Sequence, residues 1–505
     1  MSIPTEAGKR TRGFLGHPRG LATLFFTEAW ERFSYYGMRA LLLYYMYDRV
    51  ADGGLGIDNG TALSLVAVYG SAIYMAAIAG GWVSDRLLGV RRCTLYGGIL
   101  IMCGHVFLAL PAGTTALYVS MIFIVLGTGL LKPNISISVG DLYADKDLRR
   151  DSGFTIYYMG ISIGALLAPL TVGTLGQRYD YHLGFGLAAI GMAIGLLVYV
   201  RGQRHLSEAG RRPANPLRAS EIRSSRTAWP IAAAAALTVL AAAAAAVSGR
   251  LTADLVVDAV SVLSIALPVT YFTMMLRSGR TTPEERSRVL AYIPLFMAAV
   301  CFWIIQEQGA IVLAQYARQS TDLDLSGFEI PSSWFQSVGS LVLIVLAPCF
   351  AAMWLALGRR SRQPSTPAKF GMGLLFAGAS YALLVIPALG EQKSGPLWLV
   401  ASFALVTVGE LCLSPIGLSA TTRLAPAAFA TQTMGIWLAS GAAGQGISAQ
   451  IVGFYDRGDA ALYFGVIGAC AVLLGLLFVI APAVRTRTEG AEADADSRER
   501  VQERP

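Results

Sequence analysis

Residues 26–39 read FTEAWERFSYYGMR, and they sit inside an apolar segment that runs from Leu21 to Tyr47. On a helix of about 100° per residue, Glu28, Glu31, Arg32, Tyr35, Tyr36 and Arg39 share an arc of roughly 140°. Trp30, Phe33, Gly37, Ala40 and Leu41 take the other side. Glu28 follows Leu21 by seven residues, which puts it about 10 Å into a hydrocarbon layer of about 30 Å. A surface helix with solvated charges does not fit, because the segment is long, apolar at both ends and followed by similar ones. Charges at that depth cost several kcal/mol each unless they face a bundle interior or a water-filled cavity. This face therefore marks a functional site.

The rest of the chain has the same character. It has 505 residues, 54% hydrophobic and 14% charged, against about 25% charged in a soluble domain. The reading is an all-α integral membrane protein. The net charge of +8 comes from basic residues in short loops and does not point to nucleic acid. Residues 1–20 are polar and basic, and the first apolar segment is too long for a cleavable signal core. The six cysteines fall in or beside apolar segments without metal-ligand spacing, so they read as small packing residues. No GxxxxGK[ST] loop is present, which argues against ATP hydrolysis. No nucleophile–base pairing stands out in the loops, so an enzyme is not expected, and neither is a cofactor or metal.

Fourteen spans can be placed, at about 21–47, 61–83, 93–111, 116–140, 153–176, 183–201, 229–248, 253–276, 289–317, 332–357, 368–389, 397–422, 430–454 and 461–482. They predict an N-terminal segment 1–20, a six-helix bundle 21–202 and a basic linker 203–228. An inserted helix pair 229–283, a second six-helix bundle 284–484 and a charged, disordered tail 485–505 follow. Alternate loops carry most of the Lys and Arg, for example Arg86, Arg91 and Arg92, then Lys146, Arg149 and Arg150, then Arg359, Arg360, Arg362 and Lys369. By the positive-inside rule both termini are cytoplasmic. The inserted pair, rich in alanine and without mid-span basic residues, reads as a lipid-facing accessory hairpin. Gly160 and Gly164 form a GxxxG spacing, which predicts close helix packing, and the glycines at 441–446 read the same way.

A few ionisable residues lie deep in the other spans: Lys132, Glu307, Glu410 and His105. Pro133 follows Lys132 and should kink its helix and free a carbonyl. His105 reads as a packing residue. Lys132 and Glu307 lie at mid-depth in opposite halves, so their pair is expected to form only when the halves approach, as a gate. The first six spans supply Glu28, Glu31, Arg32, Arg39 and Lys132, the last six only Glu307 and Glu410. A cavity between such halves would be basic on one wall and acidic on the other, which suits a zwitterion. Acids outnumber bases four to three, so one proton on a carboxyl would neutralise the interior.

Two resemblances sharpen this reading. Gly80–Arg92, GGWVSDRLLGVRR, resembles the inner-loop signature of the major facilitator superfamily, which implies that fold and an inner gate at Asp85, Arg86, Arg91 and Arg92. Glu28–Tyr36 resembles the ExxERFxYY signature of the proton-dependent oligopeptide transporter family, bacterial type. GDLY at 140–143, FTIYYMGISIG at 154–164, FWIIQEQG at 302–309, GELCLSPIGLS at 409–419 and MGIWL at 434–438 extend the likeness over nearly the whole chain.

This resemblance implies that Glu28, Glu31, Arg32, Lys132 and Glu307 couple protons to transport. Peptide carboxylates would meet Arg32, Arg39 and Lys132, and peptide amines Glu410. Tyr35, Tyr36, Tyr69, Trp303 and Trp437 would line the pocket. Ser162 and Gly339 stand where the family usually has asparagines that contact the peptide backbone.

The leading expectation is therefore a proton-coupled symporter importing di- and tripeptides by alternating access, monomeric and in the inner membrane. The alternatives are a transporter of another small zwitterionic, anionic or drug-like solute, and a transport-dead membrane sensor or scaffold.

Overall fold

The computed structural model describes residues 13–143, 147, 149–213, 216, 252–426, 429–455 and 460–480. Thirteen of the fourteen predicted spans are helical in it; the span at 229–248 and the tail 485–505 lie outside the described residues. The helices are α1 Arg19–Tyr47, α2 Asn59–Val83, α3 Val90–Ala109, α4 Gly113–Gly140, α5 Arg150–Ala168, α6 Thr174–Arg178 and α7 Tyr181–Gly202. They continue as α8 Ala253–Arg277, α9 Pro283–Glu307, α10 Val312–Ser320, α11 Phe335–Arg359, α12 Thr366–Ala388, α13 Pro396–Leu424, α14 Ala430–Ile451 and α15 Ala460–Ile480. A two-residue hairpin pairs β1 Asp324–Leu325 antiparallel with β2 Phe328–Glu329.

Eleven of the helical stretches are long and apolar enough to cross a membrane. α1 has 29 residues but is not among the eleven, because its four mid-helix charges spoil the apolar window. Helix starts follow local chemistry. At α9 the Thr282 hydroxyl accepts the Glu285 N–H at 3.3 Å, and the Glu285 carboxylate accepts the Thr282 N–H at 2.9 Å. That reciprocal cap, with Pro283 in the first turn, satisfies donors that a helix start leaves open.

The chain forms two compact units. The first comprises Met1–Met38, Ala76–Ala168 and His182–Ser225. Its core gathers Leu21, Leu24, Ile101, Leu131, Ile135, Met192 and Tyr199, each 1% exposed or less. The GxxxG prediction holds here. A Cβ on Gly160 would come within 2.9 Å of the Phe25 carbonyl oxygen, and one on Gly164 within 2.3 Å of the Ala29 carbonyl oxygen. The two glycines let α5 lie directly on the backbone of α1, one turn below Arg32. At Gly89 φ is +81°, and a Cβ there would press on the backbone of Arg211 and Arg212.

The second unit comprises Arg39–Met75, Pro169–Tyr181 and Arg226–Pro505. The far end of α1 and much of α2 thus pack with the C-terminal helices. Tyr44 donates to the Ala314 carbonyl at 3.0 Å, Ser71 to Ala442 at 2.9 Å and Ser64 to Ala449 at 2.9 Å. Hydroxyls of this kind can bond across helices where water is excluded. The inserted helix α8, expected only to face lipid, buries one side. Ser261 and Ser264 pack on Gly446 of α14, Asp258 accepts from Gln450 at 3.0 Å, and Phe272 meets Phe296 of α9 at 5.3 Å.

Gly164→Val should push α5 off α1. Overpacking of this kind costs about 1–3 kcal/mol, so the protein purified in detergent should melt several degrees lower. Gly186→Ala, whose Cβ would meet only Ala109 at 3.9 Å, should leave the midpoint unchanged. Equal midpoints for both variants would mean that the 160–164 contact does not hold α1 in place.

Candidate functional site

In the first unit the predicted charges of α1 form a closed triplet. Arg32 Nε lies 3.0 Å from Glu28 Oε1 and 2.6 Å from Glu31 Oε2. The three residues are 4%, 2% and 0% exposed respectively, so each carboxylate depends on the guanidinium for its charge balance. The Arg32 guanidinium also stands 5.6 Å from the Tyr35 ring. Lys132 acts electrostatically on Glu31. Two acids and two bases therefore belong to this cluster. Tyr157, buried on α5 with its hydroxyl 3.4 Å from that of Ser136, lies within the fields of Glu28 and Arg32; sequence reasoning passed over it, although it lies in the quoted stretch FTIYYMG. Ser162 is buried, and its hydroxyl turns back to donate to the Tyr158 carbonyl at 3.3 Å. Tyr36 is half-buried. His105 is fully buried, in keeping with a packing residue.

In the second unit Arg39 leaves the other charges of α1 and binds Glu307. Its Nη2 donates to Glu307 Oε2 at 2.5 Å and to the Glu307 carbonyl at 3.2 Å. Tyr74 donates to Glu307 Oε1 at 3.2 Å. The Glu307 carboxylate is thus held by Arg39 and by Tyr74, a tyrosine that the sequence reading did not include. One residue before Glu307, Gln306 donates to Glu410 Oε2 at 2.9 Å. Glu410 lies within the field of Glu307. Arg39 balances Glu307, so Glu410 is the acid in excess.

The helix is broken at this point. α9 ends at Glu307, a 3₁₀ turn covers Gln308–Ala310, and Ile311 takes φ −121° and ψ −88° before α10 resumes. The fully buried Gln308 holds the break: its Oε1 accepts from Tyr381 at 2.7 Å and from Tyr463 at 3.0 Å. Discontinuous helices at mid-membrane leave backbone and side-chain polar groups available to ions and ligands. Trp303 is half-buried and Tyr69 is buried. Trp437 is buried with its ring in the notch left by Gly417 and 6.4 Å from Phe370. Gly339 presents no side chain, and a Cβ there would meet only Thr407 Oγ1, at 3.2 Å.

Two further charged clusters flank these. In the loop 84–92, Arg91 is buried and donates to the Leu206 carbonyl, with Glu208 3.7 Å away. The motif arginine thus grips the start of the linker, while Asp85 and Arg86 sit half-buried in a π-helical turn and Arg92 is exposed. Beyond the end of α1, Asp48 Oδ2 accepts from Arg318 Nη2 at 2.8 Å and from Tyr181 at 2.5 Å. No motif in the sequence signalled this second pair.

Eleven apolar helices of membrane-crossing length among the described residues, buried ion pairs and a helix broken beside a carboxylate define a multi-pass membrane protein built to move a polar solute. The model of the POT family matches residues 91–469. The chain is 51% identical to "Uncharacterized transporter YclF" of Bacillus subtilis, covering 95% of this chain and 96% of that protein. It is 43% identical to a "Di-/tripeptide transporter" of Lactococcus lactis subsp. cremoris, covering 94% and 96%. The crystal structure of peptide transporter POT in complex with sulfate matches with a TM-score of 0.90 and 52% identity, over 94% of this chain and 97% of that one. This chain belongs to the POT family, and its fold is the major facilitator fold of those transporters.

Breaking a buried pair by removing one partner costs about 3–5 kcal/mol, because it leaves a charge uncompensated, whereas removing both costs far less. Arg39→Met or Glu307→Gln alone should therefore lower the thermal midpoint more than the double variant does. A double-mutant cycle in detergent measures this; strictly additive losses would show that the two side chains are not coupled.

Proposed function

We propose that this protein is a proton-coupled symporter that imports di- and tripeptides across the cell membrane, the inner one where there are two. It works as a monomer by alternating access, with both termini cytoplasmic. The observation that carries this reading is the uneven charge balance. The triplet at Arg32 with Lys132 is neutral, whereas Arg39, Glu307 and Glu410 together leave one acid in excess. A buried excess carboxylate is stable only with a cation beside it or a proton on it. A substrate ammonium and a proton are the two ligands that meet this need.

In this reading Glu28 and Glu31 exchange their bond to Arg32 for a proton. Arg39, Lys132 and Arg32 attract the peptide carboxylate, and Glu410 receives the amine once Gln306 swings away. The tie of Arg318 to Asp48 closes the outer ends of α1 and α10, and that of Arg39 to Glu307 lies deeper, where α9 breaks. Arg91, Asp85, Arg86 and Arg92 serve the inner end. Uptake driven by a proton gradient should fail in Glu28→Gln and Glu31→Gln proteins, while counterflow exchange in proteoliposomes persists. Full accumulation by both would refute the coupling role. N-acetyl dialanine, which lacks the ammonium, should compete with dialanine at least tenfold more weakly; equal competition would remove Glu410 as the amine site.

A second reading rests on Ser162 and Gly339. The Ser162 hydroxyl is spent on its own helix, and Gly339 offers no side chain. A pocket without these two directed contacts favours a bulkier or non-peptide zwitterion over a small dipeptide. Each amide contact is worth about 0.5–1.5 kcal/mol, and about 1.4 kcal/mol is one decade. Ser162→Asn with Gly339→Asn should tighten dialanine binding roughly tenfold by calorimetry. Unchanged affinity would mean that these positions do not set the preference.

A further inference from the structure

Arg318 does two things at once. It holds Asp48 and Tyr181, and it lines a cavity of about 560 Å³ at the end of α6 and α10. That volume lies within the range of small-molecule sites, about 300–1,000 Å³. The walls carry three bases and three acids: Arg178, Arg318 and Lys393 against Asp322, Asp324 and Glu329. The cavity is neutral in sum and bipolar in layout.

The walls are built rather than loose. Asp322 Oδ1 accepts the Asp324 N–H at 3.2 Å, and Asp324 Oδ1 accepts the Gly327 N–H at 2.7 Å. Ser326 and Gly327 take φ of +55° and +94°, the conformation of a tight two-residue hairpin turn. Backbone bonds from Ser394 to Ser320 and from Asp322 to Ser394, both 2.8 Å, seat the Lys393 loop against the base of this hairpin. On the opposite wall Arg178 donates to the Glu329 carbonyl at 2.7 Å and stacks 4.8 Å from Phe328. Gln177 donates to Ser332 at 2.8 Å across the floor. These bonds fix the backbone of the hairpin and of the loop that carry the charges.

The floor is unequal in a useful way. The Arg318 side chain is 36% exposed, while that of Asp48 is 11% exposed. The guanidinium also stands 5.2 Å from the Tyr44 ring. A carboxylate entering the cavity can reach the arginine but not its partner. Because a guanidinium makes its strongest bonds to carboxylates, the newcomer competes directly with Asp48.

We infer that this cavity is an outer receiving site for a small zwitterion, and that the zwitterion's carboxylate takes Arg318 from Asp48 and so unlocks the ends of α1 and α10. The ammonium meets Glu329 and Asp322. The inference rests on the transporter reading above for its direction, outside to inside, but its chemistry is independent of what the inner pocket selects. Fixed charges in an open vestibule raise the local concentration of a ligand of matching charge layout, and salt screens that gain over a Debye length of about 8–10 Å.

Two measurements test it on the full chain. In detergent, dialanine should protect Lys393 from an amine-acylating reagent at least threefold, read by mass spectrometry, and N-acetyl dialanine should protect it less. In proteoliposomes at low ionic strength, Lys393→Gln with Glu329→Gln should raise the half-saturating dialanine concentration about fivefold. Added salt should bring the parent up to the same value. If the parent transports dialanine but shows neither protection nor a shift in half-saturation, the receiving site is refuted and the transporter reading stands. If the parent does not transport dialanine, that reading falls, and the protection measurement alone decides the site: protection supports it and its absence overturns it.

Discussion

A charge in an apolar helix must find its counter-charge at contact distance, and most of what is distinctive here follows from that. Arg32 sits almost wholly out of solvent with Glu28 one turn before it and Glu31 beside it. Two acids on one base is an unstable count by itself. The balance is restored by Lys132 from α4, whose field reaches Glu31. α5 in turn lies on α1 beside Arg32 with no side chain between them, which is what Gly160 and Gly164 permit. The glycine spacing and the charged face are thus two parts of one device. The first makes the second affordable in a low-dielectric interior.

The same rule acts with a different result seven residues later. Arg39 belongs to the charged face of α1 by periodicity, but it lies with the second unit and binds Glu307. Glu307 closes α9 just where the helix breaks, so its carboxylate and carbonyl both accept from Arg39. Gln308, with two tyrosine hydroxyls on its oxygen, pins the break from the far side. Tyr74 completes the shell of Glu307, and Gln306 turns to Glu410. Three consecutive residues, Gln306, Glu307 and Gln308, therefore point into three different networks at the end of α9.

Beyond this point the polar contacts thin out and become hydroxyl-to-carbonyl bonds. Ser64, Ser71 and Tyr44 each donate to a carbonyl of a C-terminal helix. Such bonds join helices without adding a charge that would need a partner. The inserted helix α8 braces α14 from outside through Ser261, Ser264 and Asp258. It thereby supports the helix that carries Trp437 and packs Gly441 against the Tyr74 ring.

What was legible in the sequence was everything set by period and composition. The spans, the glycine packing of α5 on α1 and the charged face from Glu28 to Arg39 all follow from spacing along one chain. Period 3.6 and the cost of charge in an apolar layer need no knowledge of neighbours. Partners were not legible, because a side chain's contact depends on which helix comes to lie beside it. Periodicity grouped Arg39 with Arg32, yet packing sets Arg39 on Glu307. Tyr74, Tyr157, Gln306 and Gln308 carry no charge and look like ordinary residues of apolar spans until their hydroxyls and amides meet a carboxylate or a broken turn. The Asp48–Arg318 pair joins residues 270 apart, each of which reads alone as a solvated loop charge. The sequence by itself determined which groups had to be buried and compensated. Tertiary structure alone decided which charge compensates which, because that is a matter of distances of a few ångströms between helices far apart in the chain.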